Sequence, residues 1–304
     1  MRANTPSRKT VTLTRRGRLV LLVSGAVLAG AAVVVPLLTL RSDGAVRPRT
    51  LVIPEGWRAA QVYAAVDKAL ALPPGSTKQT AAEAGLKLPD AAEGNPEGYL
   101  FPATYPVDGR TTPRSLLSAM VTTAGRKFSA APAAAGAPRS SLTFYQAVTI
   151  ASIVQAESAT RADMGKVARV VFNRLELGMP LQMDSTLNYG LGRTTARTTA
   201  EDTRITSPYN SYRRMGLPPT PIDNPGEDAL RAVYDPIPGD WVYFVTVKPG
   251  DTRFTSDYAQ HQRDVEEFED LRRSPARQTP ARQSPGRAGS AQPGHSPGAQ
   301  PTTS

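Results

Sequence analysis

The chain has 304 residues, with 36 Lys+Arg against 26 Asp+Glu, 2 His and no Cys. Without Cys there are no disulfides, thiolate metal sites, iron–sulfur clusters or cysteine nucleophiles, and two His leave little room for a histidine-rich metal site. The formal charge of +10 points to nucleic acid or an anionic membrane surface as a partner only if that charge lies on the folded body.

The first 18 residues contain Arg2, Arg8, Lys9, Arg15, Arg16 and Arg18 and no acid. Residues 19–40 are uncharged. As a helix rising about 1.5 Å per residue they span about 33 Å, which matches a hydrocarbon core of about 30 Å. The basic flank predicts a single-pass anchor with its N-terminus cytoplasmic and the remainder outside. A cleaved signal peptide has a shorter apolar region, about 7–15 residues. At the other end, 272–304 is rich in Pro, Gly and Ser, with Arg272, Arg273, Arg277, Arg282 and Arg287 and no acid. It offers too little apolar surface to offset its ordering entropy and reads as a disordered tail. With six basic residues at one end and five at the other, 25 remain against 26 acids in between. The body is near neutral, and a nucleic-acid partner loses its basis.

After the anchor, 41–92 reads as a linker and a small α/β subdomain. LVIP at 51–54 signals a strand, Glu55–Gly56 a turn, and Ala59, Val62, Val66 and Leu70 a helix. Residues 72–75 break that helix, and 77–86 form a second, weaker one. EGYLFPATYPV at 97–107 predicts an extended chain or edge strand. Leu116, Leu117, Met120, Val121 and Phe128 predict a helix over 113–128, followed by a flexible loop over 130–141. Thr143 caps the next helix, with Phe144, Ala147, Val148, Ala151 and Val154 on one stripe. Met164, Val167, Val171 and Leu175 mark another, with Gly178 and Pro180 as its stop. The stretch 178–224 is loop-like and long enough for a binding surface or lid. Asn224 and Pro225 predict a cap and first-turn proline before a helix over 227–234. Residues 241–247 predict a buried strand. A last helix over 256–271 turns Tyr258, Val265 and Phe268 inward. The class is α+β, mostly helices on a small sheet.

One carboxylate is out of place. Glu157 follows Ile150, Ile153 and Val154 by 7, 4 and 3 residues, which sets it on the border of an apolar helix face. Partial desolvation there raises a carboxyl pKa, as a general acid near neutral pH requires. The competing reading is a Glu at a fraying helix end, or one paired with Arg161 at i+4.

IPEGW (53–57), EGYLFPATY (97–105), ASIVQAES (151–158), VARVVFNRLELGMPLQMDSTLNYG (167–190), SPYNSYRRMGLPPTPIDNPG (207–226) and VYFVTV (242–247) follow in that order. Over 50–271 the chain closely resembles the MltG/YceG-like endolytic murein transglycosylases. The resemblance implies a single N-terminal transmembrane helix at 19–40 and a LysM-like subdomain within 41–92. It implies a larger, mainly helical catalytic domain with a small sheet over 93–271. It also implies Glu157 as the catalytic residue, no metal or cofactor, and peptidoglycan glycan strands as the partner, near the wall-synthesis enzymes of the membrane. The implied reaction breaks MurNAc–GlcNAc bonds within a strand and leaves a 1,6-anhydro sugar, terminating a growing strand. It consumes no water, so no second carboxylate is needed to activate one, unlike ordinary glycosidases.

Three positions depart from the family pattern. Gln155 replaces a frequent Glu, Asp184–Ser185–Thr186 replaces Asp-Pro-Thr, and GDTRF at 250–254 lacks a His. Gln182, Asp184, Thr186 and Tyr189, with Ser207, Tyr209, Asn210 and Tyr212, are of types that suit sugar recognition. They equally suit loop architecture, and both readings stand. Asp184 is the candidate second charge, and His261 reads as a satisfied core residue. Two rival functions are a hydrolytic muramidase with Asp184 activating water, and a non-catalytic peptidoglycan-binding scaffold.

Overall fold

The structure, a computed structural model, describes residues 49–130, 142–194 and 198–273. The anchor and basic segment expected at 1–40, most of the loop at 130–141 and nearly all of the tail lie outside the described residues. Among the described residues no helix is long and apolar enough to cross a membrane.

The N-terminal unit runs strand, helix, helix, strand. β1 (Arg49–Val52) pairs antiparallel with β2 (Thr104–Val107), so the unit closes beyond the expected boundary at 92. Pro106 is tolerated because a two-stranded sheet has only edges. Between the strands lie α1 (Ala59–Ala69) and α2 (Ser76–Glu83). Val62 and Val66 are fully buried, as their spacing predicts. Both helices pack on α3 (Pro113–Ala130), so the unit shares one core with the rest of the chain.

The body is built around α4 (Phe144–Glu157), which packs on α5 (Met164–Glu176) and α7 (Glu227–Tyr234). Thr143 Oγ1 accepts from the Gln146 amide and Gln146 Oε1 accepts from the Thr143 amide, a reciprocal cap worth about 1 kcal/mol. Every residue of α4 from Ala147 to Val154 is buried, so the helix is a core element rather than an amphipathic one. Its buried hydroxyls are satisfied: Thr149 donates to Tyr145 O, and Ser152 donates to Thr149 O while accepting from Ile222 N.

Four features depart from the sequence reading. The stretch expected as loop holds a short helix, α6 (Asp184–Gly190). Too short to be stable alone, it stands because Thr186, Leu187 and Asn188 are buried. The strand expected to be buried is β3 (Tyr243–Lys248), half-buried in a two-stranded hairpin with β4 (Asp251–Thr255). The final helix, α8 (Tyr258–Arg273), covers that hairpin but does not turn Tyr258 inward: it is 57% exposed, and the one buried residue of α8 is Asp264, paired with Arg253. Asn224 caps no helix, since α7 starts after Gly226.

Asn224 joins segments distant in sequence instead. Its amide and its side-chain NH2 both donate to Trp57 O, and its Oδ1 accepts from Leu100 N. The turn before Leu100 needs glycine. Gly98 has φ +89, and a Cβ there meets Pro221 at 2.7 Å and Val148 at 3.0 Å. Gly98→Ala combines left-handed strain with overpacking, and we expect it to cost about 2–4 kcal/mol, read as a lowered Tm in thermal unfolding.

Candidate active site

Glu157 is the last residue of α4, where the packing of the helix sets its position. Its Oε1 accepts two hydrogen bonds from the first turn of α6, from Ser185 N at 3.0 Å and Ser185 Oγ at 2.6 Å. Oε2 accepts none from the described residues, and it is not sealed from the cleft. Burial pushes the Glu157 pKa above the usual carboxylate value, and the negative Asp184 adds to that; the Ser185 bonds and the Arg174 charge pull it back. Arg161 pairs with Asp228 rather than with Glu157, which removes the i+4 ion pair as an account of this Glu.

Two cavities meet at this carboxyl. One, of about 510 Å³, is lined by Glu55, Arg58, Gln61, Gln155 and Asp223 together with Glu157, Asp184 and Ser185. The other, of about 940 Å³, is lined by Arg174, Gln182, Tyr212, Tyr243 and His261, again with Glu157 and Asp184. Glu157 and Asp184 belong to both walls, so they stand between the two cavities.

Of the nine candidate residues, Glu157, Gln182, Asp184 and Tyr212 line the cleft. Asp184 Oδ1 accepts from Tyr212 Oη at 2.5 Å, and Gln182 has φ 50, a strained conformation for a residue with a side chain. Thr186, Tyr189, Ser207, Tyr209 and Asn210 line neither cavity and hold the loops instead. Thr186 Oγ1 is buried against Met183 O and Ser211 Oγ. Asn210, fully buried, donates to Thr203 O and Ile205 O. Ser207 Oγ accepts from Tyr209 N. Tyr209 reaches Thr220 Oγ1, and its ring packs on Tyr189, whose hydroxyl donates to Glu97. For these five the loop-architecture reading is the one the contacts support.

Several groups that shape the cleft are not legible as such in the sequence. Ser185 is one. Arg174 is another: it lies on the buried face of α5, donates to Val242 O and Leu181 O, and sits over the Tyr243 ring. An Arg seven residues after Val167, on the same helix face, was the signal available. Gln155 does not act as an acid; its Oε1 accepts from Gly226 N. His261 is no satisfied core residue, since it lines the larger cavity, stacks on Tyr243 at 5.0 Å, and its Nδ1 has no partner. Burial and Arg174 lower its pKa. Among the described residues no group of three or more His, Asp or Glu is gathered as a metal site.

Two further carboxyls are buried near the smaller cavity. Glu97 accepts from Ala59 N, Tyr189 Oη and Asn224 Nδ2; burial raises its pKa to about 7 despite those donors. Asp223, 3% exposed, has no partner for Oδ1, and burial with the nearby Glu97 holds its pKa well above the ordinary 3.8. Both groups bind a proton more tightly folded than unfolded. The stability they confer is full below the unfolded values and is lost as pH rises through the folded ones. For Glu97 that window runs from 4.5 to about 7. We expect Tm to fall across it, and Asp223→Asn, which cannot ionise, to flatten the fall in thermal unfolding measured against pH.

Residues 31–267 match the family model described as the YceG-like family. The chain is 34% identical over 173 residues to a Bacillus subtilis protein named endolytic murein transglycosylase, covering 57% of this chain and 48% of that one. A Streptococcus pneumoniae protein of the same name is 37% identical over 177 residues, covering 56% and 32%. The chain thus spans half or less of the length of these relatives. The crystal structure of a YceG-like protein from Listeria monocytogenes superposes with a TM-score of 0.65 at 27% identity, covering 72% of this chain and 76% of that one. With the family model running from before β1 into α8, and a solved fold following it over most of that length, the chain belongs to the YceG-like family.

Proposed function

We propose that this protein is a lytic transglycosylase that cuts peptidoglycan glycan strands internally, with Glu157 as its single acid and base. The observation behind this reading is that Glu157 and Asp184 line both cavities. A carboxyl at the end of a blind pocket suits removal of terminal units. A carboxyl with a cavity on either side of it suits a bond inside a polymer. The relatives named endolytic murein transglycosylase supply the substrate class.

In this mechanism protonated Glu157 gives its proton, from Oε2, to the glycosidic oxygen as the bond to MurNAc C1 breaks. The resulting carboxylate takes the proton of the MurNAc C6 hydroxyl as that oxygen bonds to C1. The products are a free GlcNAc 4-hydroxyl and a 1,6-anhydro end, and Glu157 is again protonated. A raised pKa keeps the acid form available for the first half, and the donors on Oε1 steady the anion in the second. Asp184, held by Tyr212, stabilises the positive charge that develops at C1. On the far side, Tyr243 and His261, stacked on each other, line the larger cavity in which the neighbouring sugars lie.

The uncharged run at 19–40 with its basic flank makes the protein a single-pass membrane protein with the cleft outside. There, internal cleavage of strands leaving the membrane synthases terminates their elongation.

Glu157→Gln keeps an acceptor for Ser185 and removes the proton, so cleavage falls by about a hundred- to ten-thousandfold while Tm holds or rises. Mass spectrometry of digested glycan decides the reaction: anhydro ends support it, whereas ends heavier by one water assign Asp184-assisted hydrolysis. No cleavage by the unaltered protein favours a binding scaffold. Tyr243→Ala raises KM for polymeric glycan about two- to tenfold, measured by steady-state release of products.

A further inference from the structure

We propose that Ser185 is the positioning residue of this site: its N–H and O–H both grip Oε1 of Glu157, so that Oε2 is the oxygen that carries and exchanges the proton. The inference rests on the proposed acid–base role of Glu157. The geometry is specific to this side chain. Two donors from one residue converge on one oxygen, at 3.0 and 2.6 Å, and the second oxygen accepts nothing from the described residues. A proton on Oε1 would have to turn the Ser185 hydroxyl round to accept and would weaken the bond from the Ser185 N–H, which can only donate, because a protonated oxygen is a poor acceptor. The proton therefore favours Oε2.

The same bonds oppose desolvation. Glu157 ends a buried helix, where the exposed carbonyls of the last turn disfavour negative charge. The charged groups facing it are Asp184, which also disfavours the anion, and Arg174, which favours it, with Tyr212 bonded to Asp184. Arg174 is already committed to Val242 O and Leu181 O. Ser185 is thus the group that bonds the carboxylate directly, and charge-assisted bonds of this kind are the strong ones. Without them the anion formed on proton donation is less stable, the acid is weaker, and the carboxyl is free to rotate away from the bond it must protonate.

Three substitutions separate the two donors. Ser185→Ala removes the hydroxyl and keeps the amide. Ser185→Thr keeps both. Ser185→Pro removes both, and it fits the first turn of a helix, where the amide makes no intrahelical bond. The experiment titrates the Glu157 carboxyl by carbon NMR in each full-length variant and records kcat/KM against pH in parallel. The expected order of midpoints is wild type and Thr lowest, Ala higher, Pro highest. The alkaline limb of kcat/KM moves up in the same order. Plateau kcat falls about tenfold in Ala and is restored in Thr. Titration curves for Ala and Pro that superimpose on wild type overturn the proposal. If Pro fails to fold, Ala against Thr decides alone. If the wild type cleaves no glycan, the proposed function fails, while the NMR titration still tells whether Ser185 holds the carboxyl.

Discussion

The cleft depends on one contact, between the last residue of α4 and the first turn of α6. Burial and the negative end of a helix both work against a carboxylate at that place. Packing nevertheless puts it there, because α4 is enclosed from Ala147 to Val154 and has no freedom to withdraw its end. What makes the position tolerable is a loop that brings two donors to Oε1. That loop is in turn held by Ser211, whose carbonyl accepts from Gln182 N and whose hydroxyl accepts from Met183 N. The strained φ of Gln182 is where the chain bends to make this approach.

Behind the cleft lies a second layer of buried polarity. Glu97, Asn224 and Trp57 tie the N-terminal unit to the loop between α6 and α7. Each bond there spans a large separation in sequence, so the three segments stand or fall together. Glu97 is buried with three donors, whereas Asp223 is buried with none for Oδ1. The first is a satisfied junction. The second is favoured as a neutral acid, and it lines the smaller cavity together with Glu157.

Periodicity revealed α3 and α5, whose burial repeats every three to four residues; α4, enclosed all round from Ala147 to Val154, was marked by its Thr143 cap and its apolar run instead. Glu157 was legible because a charge at the end of an apolar segment is visible without any partner. The loop residues were not. Asn210 and Thr186 are of the types that bind sugars, but those types also hold turns, and only their contacts reveal that they do the latter. α6 is too short for a repeat. Its register comes from Leu187 and Thr186 packing inward. Tyr258 was misplaced because α8 has a polar sequence and rests on a two-stranded hairpin, which is too narrow to bury a full helix face.

The sequence by itself determined the division of charge, near-neutral in the body and basic at the ends. It determined a chemistry without thiols, and a core helix that ends in a carboxyl. These follow from composition and from local spacing, which the chain carries in order. Only the tertiary structure decided that this carboxyl sits between two cavities, that its two oxygens differ, and that Ser185 makes them differ. Ser185 lies 28 residues from Glu157, and a contact across that distance leaves no periodic trace in the chain. It exists only once α5 has packed and turned the loop back.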